Sequence, residues 1–119
     1  MSVVHPLASV STFSHMDAGC FAVAGAVVAP TARLGIGVIV NHCAVIDHDT
    51  EIGDFSHVGQ NASVCGHSKL GQRVLNGSGA VVMSSVVVGF DLMLSPGSVA
   101  NCDLLAAGVY SGISAVKIE

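Results

Sequence analysis

Six histidines, at positions 5, 15, 42, 48, 57 and 67, are the residues of this chain best suited to chemistry near neutral pH. Imidazole is the side chain whose ordinary titration lies closest to it. His48 stands apart because acids flank it, in Asp47-His48-Asp49. A neighbouring carboxylate can orient an imidazole and stabilise its protonated form, which is what a general base needs. Either acid could fill that role. Four cysteines (Cys20, Cys43, Cys65, Cys102) lie far apart with no CxxC among them. That argues against a disulfide framework or a zinc site and for reduced thiols in a cytoplasmic protein. Eight acidic and four basic residues give a formal charge of −4, so there is no basic footprint for nucleic acid.

The elements that position these residues follow from a strict repeat. From Val4 to Ala100 every sixth residue is apolar except Asn76, and the register never slips. The residue two before each is small or aliphatic: Ala8, Ser14, Cys20, Ala26 and Ala32 open the series, and no charge interrupts it. Two inward positions separated by two residues mark a strand, because alternate side chains share a face. Each unit of six is then a short strand and a two-residue corner. Pro6, Pro30 and Pro96 all fall at the first corner position. The second holds Gly19, Gly25, Gly37, Gly79, Gly97, Asn61, Asp49, Asp91 and Asp103. Proline followed by glycine is what a type II turn requires. A strand of this length cannot bury its own face, so the units must stack as a parallel β-helix about 4.8 Å per coil.

The same packing explains a composition that is 51% hydrophobic, 10% charged and 4% aromatic, with 14 glycines and no Trp. A tight prism favours small inward residues. The longest apolar run, 18–29, is far shorter than the roughly 20 residues of a membrane-spanning helix, and Pro30 ends it. No membrane association is expected, and no basic n-region opens the chain.

A hexapeptide repeat of this kind resembles the left-handed parallel β-helix acyltransferases, in which three six-residue faces make a coil of eighteen. More specifically, His5-Pro6, the segment Asn41-His42-Cys43-Ala44-Val45-Ile46-Asp47-His48-Asp49, and Ile52-Gly53-Asp54-Phe55-Ser56-His57-Val58 resemble the sialic-acid O-acetyltransferase (NeuD) family and its PglD-type members, which N-acetylate UDP-4-amino sugars. The resemblance spans about residues 3–117. It implies a left-handed, all-β fold and a homotrimer with sites between subunits. It also implies acetyl-CoA as co-substrate, without a metal, and a small-molecule acceptor carrying an amino or hydroxyl group, such as a sugar or nucleotide sugar. Family members carry an N-terminal nucleotide-sugar-binding domain, and this chain begins where their β-helix begins. The expectation is one β-helix domain over 1–119, with hexapeptide units over about 3–105 and a C-terminal tail over 106–119. The ending Gly112-Ile113-Ser114-Ala115-Val116-Lys117 departs from the family's Gly-x-Pro-Ala-Lys at Ser114 and Val116.

The resemblance assigns His48 as general base and the Gly66 N–H as donor to the thioester oxygen. Stacking arithmetic separately places these residues eighteen apart, in adjacent coils. Asp47 and Asp49 are the acids of the same segment, and Asp49 also neighbours His67 one coil on. Asn41 and His57 point outward by strand parity, and the resemblance makes them residues of the acetyl and acceptor pocket, dependent on a second subunit. The column Arg33, Glu51, Lys69 reads as a charge ladder, with Lys69 or Arg73 available to CoA phosphates. A γ-class carbonic anhydrase would need histidines five apart, and this chain has none. A structural or ice-binding β-helix would need threonine ladders, whereas Thr stands only at 12, 31 and 50. The alternative function is a catalytically idle trimeric scaffold or interaction module.

Overall fold

Strands recur every six residues, and each pairs with the strand eighteen residues later until the last coil, where Leu92–Leu94 pairs with Gly108–Ser111 sixteen residues on. The computed structural model describes residues 1–119 as an all-β parallel solenoid with extents of 37 × 20 × 20 Å. Three parallel sheets form its sides. We call them A (eight strands, from Val3–Val4 to Val116–Lys117), B (six, from Ser9–Val10 to Val99–Ala100) and C (five, from His15–Met16 to Val87–Val88). Most strands are only two residues long. They are shorter than the repeat suggests because the chain must turn again within each unit.

Corners are uniform in backbone rather than in residue type. Every sixth residue from Gly19 to Gly97 has a positive φ. Besides the expected Gly, Asn and Asp positions, the set includes Thr31, Cys43, Phe55, His67, Arg73 and Ser85. Asp103, expected to belong to it, does not. The left-handed region is costly for a side chain with a β-carbon, by about 1–2 kcal/mol per residue. The stacked register imposes it nonetheless, since every corner must superpose on its neighbours.

Inward residues fill the prism. Ala26, Val28, Ala32, Leu34, Val38, Val40, Ala44 and Ile46 are fully buried, as are their counterparts in later coils. Asn76 is buried among them with neither amide atom hydrogen-bonded. The first coil has a neighbour on one side only, so Val4 remains 45% exposed. At the other end the tail continues the solenoid. Gly108–Ser111 adds a strand to sheet A, and Val116–Lys117 folds back on it antiparallel. Tyr110 is thereby buried, and its hydroxyl donates to the Ala106 carbonyl at 2.8 Å.

The outward columns differ by face. Sheet A presents Val3, Phe21, Ile39, His57, Leu75, Met93 and Val109 in register. Sheet B presents Ser9, Val27, Val45, Ser63, Val81 and Val99. Sheet C presents His15, Arg33, Glu51, Lys69 and Val87. Two sides are apolar and one is charged. No helix is long and apolar enough to cross a membrane.

Candidate active site

His48 occupies the corner between Val45–Ile46 on sheet B and Glu51–Ile52 on sheet C. The two flanking acids have different partners. Asp47 Oδ1 accepts the backbone N–H of His48 at 2.7 Å and caps the corner. Asp49, held at φ 57°, turns its carboxylate back toward the ring, with Oδ2 3.1 Å from His48 Nδ1. Its other oxygen, Oδ1, accepts the Thr31 hydroxyl of the preceding coil at 2.6 Å. The hydroxyl of Thr31, then the His48 hydrogen bond, hold the Asp49 carboxyl below its ordinary value, with nearby imidazolium charge acting in the same sense. An ionised Asp49 facing Nδ1 makes Nδ1 the protonated nitrogen of the neutral ring, leaving a lone pair on Nε2.

The ring lies directly on Gly66. A β-carbon at Gly66 would come 2.8 Å from His48 Cε1 and 2.9 Å from Nε2. Gly66 is buried beneath the imidazole, and its N–H donates to no group of the chain. At the corners of Ile36, His42 and His48 the equivalent N–H is taken by a side-chain oxygen of Asp54, Asn41 and Asp47 respectively. The donor of the glycine on which the ring rests is therefore free, and buried backbone donors are seldom left unpaired. Asp47 has a second neighbour in Cys65, whose thiol is pushed up by burial and then by the Asp47 charge.

Asn41 and His57 form a separate unit one corner earlier. Asn41 Oδ1 accepts the His42 backbone N–H at 2.7 Å and lies 2.9 Å from His42 Nδ1. That fixes the carboxamide so that Nδ2 donates to His57 Nε2 at 3.0 Å. His57 must present a lone pair there, which suits a neutral ring. Burial pushes its pKa below the ordinary value of 6.5. No hydrogen bond joins this pair to the His48 corner within one chain.

Thr31 and His67 flank Asp49 in the coils before and after it; Thr31 was not among the expected site residues, although its spacing of eighteen from Asp49 points to it. The spacing of eighteen puts His67 beside Asp49, as expected, and nineteen residues separate it from His48. Their rings nevertheless meet edge to face, with centroids 5.1 Å apart and planes at 84°. His67 Nε2 lies 3.8 Å from the same Asp49 Oδ2. Sheet C carries a groove of about 390 Å³ toward its other edge, past Gly35, Gly53 and Gly71, whose charged lining is His15, Asp17, Arg33, Glu51 and Lys69. Of the ladder, only Lys69–Glu51 closes as an ion pair, at 3.4 Å. Arg73 is engaged by Asp91 through both carboxylate oxygens, at 2.6 and 3.2 Å.

No protein-family model matches the sequence. A serine acetyltransferase of Helicobacter pylori is 30% identical, in an alignment covering 81% of this chain and 62% of that protein. The acetyltransferase domain of PglB from Neisseria gonorrhoeae, solved with acetyl coenzyme A, superposes with a TM-score of 0.97 at 31% identity. It covers 98% of this chain and 57% of that one. PerB from Caulobacter crescentus, solved with CoA and GDP-perosamine, gives 0.96 at 29% identity, covering 99% and 57%. The chain thus spans about three fifths of the curated relative and a little over half of each structural neighbour. The expected left-handed β-helix is the architecture that it matches. In sequence and in backbone, this chain is similar to the β-helix portion of hexapeptide-repeat acetyltransferases that use CoA.

Proposed function

We propose that the chain is an acetyl-CoA-dependent acetyltransferase domain whose general base is His48. The observation that carries this reading is the arrangement of His48 between Asp49 and Gly66. Nε2 takes the proton of the acceptor's amino or hydroxyl group as the nitrogen or oxygen attacks the thioester carbonyl carbon. The free Gly66 N–H donates to the carbonyl oxygen and stabilises its developing negative charge. Collapse of the tetrahedral intermediate breaks the C–S bond, and the imidazolium returns its proton to the departing CoA sulfur. Asp49, fixed by Thr31, stabilises the imidazolium during that interval.

The solved complex of PerB with GDP-perosamine supports an acceptor of the nucleotide amino sugar class. Transfer to an amino group of a sugar nucleotide is the form we favour, in one β-helix domain extended by the tail strands.

The outward faces favour the same reading. Sheets A and B expose apolar columns while sheet C is charged, and on sheet A Val3, Phe21 and Met93 are exposed. Sheet A of one copy packed on sheet B of the next would be a head-to-tail contact, which can close as a ring, and three copies is the number that the family resemblance implies. Asn41 and His57 lie on or beside those faces, so a second copy is what would bring such a pair to a His48 corner.

The test is acetyl transfer from acetyl-CoA to a panel of amino sugars and their nucleotide derivatives, with native mass measured alongside. A trimer that transfers acetyl to one of them, and stops when His48 is replaced, supports the reading. A trimer that binds no acetyl-CoA at millimolar concentration returns the chain to the scaffold alternative.

A further inference from the structure

We propose that His48, Asp49 and His67 form a binding site for a divalent transition-metal ion of the zinc type, and that the bound ion turns off the His48 corner. Each residue offers one ligand atom, and the three atoms lie within 4.8 Å of one another. Two of the separations are 3.1 Å, from Asp49 Oδ2 to His48 Nδ1, and 3.8 Å, from the same oxygen to His67 Nε2. In a triangle with those sides, and a third of at most 4.8 Å, the point equidistant from all three corners lies no more than about 2.4 Å from each. Zinc bonds to imidazole nitrogen and carboxylate oxygen run about 2.0–2.2 Å, so small rotations of the exposed rings bring all three into range.

The site is prepared on one side. Thr31, a β-branched residue at φ 63°, holds Asp49 Oδ1 and leaves Oδ2 facing both imidazoles. The two rings stand nearly perpendicular, at 84°, and approach the carboxylate from adjacent coils. Two imidazoles and one carboxylate suit zinc, nickel or copper rather than magnesium or calcium, which prefer oxygen throughout. All three side chains are exposed, so an ion reaches them without opening the fold.

The consequence for catalysis follows from the tautomer and rests on the acetyl-transfer reading above. Binding at Nδ1 requires the neutral ring to carry its proton on Nε2 instead. That nitrogen then has no lone pair with which to take a proton from the acceptor. The ion also diverts the Asp49 oxygen that would stabilise the imidazolium. His67 is the residue that converts a base and its orienting acid into a chelate.

The experiment compares the full chain with His67→Asn, a substitution that tolerates the left-handed corner. Zinc chloride is titrated by isothermal calorimetry, and acetyl transfer is assayed with and without zinc, then with excess EDTA. The expected result is one ion per chain at micromolar affinity, weakened at least tenfold in His67→Asn. Compared with its own zinc-free rate, the variant should lose the sensitivity of its turnover to zinc. Unchanged zinc affinity in the variant, or binding abolished by alkylating Cys43 and Cys102 instead, would overturn the site. If the chain transfers no acetyl group but its zinc affinity depends on His67, the site stands and the enzymatic reading falls.

Discussion

His48 and Gly66, one coil apart, are packed so closely that a β-carbon on the glycine would lie 2.8 Å from the imidazole. The ring rests on backbone and has no room to sink further. Gly66→Ala should push it outward while preserving the backbone N–H. A misplacement of about 1 Å at a reacting group costs on the order of 10²-fold in rate. Turnover should fall by about that factor with the circular dichroism spectrum unchanged; wild-type turnover would remove Gly66 from the site.

Replacing His48 itself should lower turnover by about 10²–10⁴-fold, the usual contribution of general-base catalysis. The side chain is half exposed, at 52%, so His48→Ala should leave the native mass intact. Turnover equal to wild type would show that another group takes the proton.

The two acids should separate cleanly. Asp49 faces the ring and Asp47 caps the backbone, so Asp49→Asn should lower turnover at least about tenfold while Asp47→Asn changes it little. Asn retains corner geometry at both positions. The opposite ranking in kcat would assign the orienting role to Asp47.

His57 should titrate below 6.5, because burial disfavours its charged form and Asn41 donates to its Nε2. The sign for stability follows. The unfolded chain binds the proton more readily, so His57 costs nothing above about pH 6.5 and destabilises increasingly as pH falls through its lowered value. A proton NMR titration of the ring checks this. A midpoint at or above 6.5 would contradict the buried, neutral ring.

Asn76 sits between Val58 and Leu94 in the interior column, with both amide atoms unpaired. A buried amide without partners costs about 1–3 kcal/mol. Asn76→Val removes those atoms and suits a strand, so it should raise stability toward urea by an amount within that range. A loss of stability would mean that the amide makes contacts the interior column does not.

Much of the fold was legible in the residues because a period of six with inward positions two apart admits little else. The stacking of His48 on Gly66 was legible for the same reason: eighteen residues make one coil, and equivalent corners superpose. Other relationships needed the backbone in three dimensions. Thr31, Cys43, Phe55 and His67 carry no turn signature, yet the superposed register puts each at positive φ. The spacing of eighteen already set His67 beside Asp49, but side chains leaving a corner splay across the column, which is why His67 also meets the His48 ring at a spacing of nineteen. The division of labour between Asp47 and Asp49 was likewise undecidable from adjacency, since both neighbour His48 in the chain. The left-handed conformation at Asp49 is what turns one of them toward the ring. The repeat by itself determined where each residue lies along and around the prism. Only the tertiary structure decided which side chains meet, because that depends on corner dihedrals that the repeat does not encode.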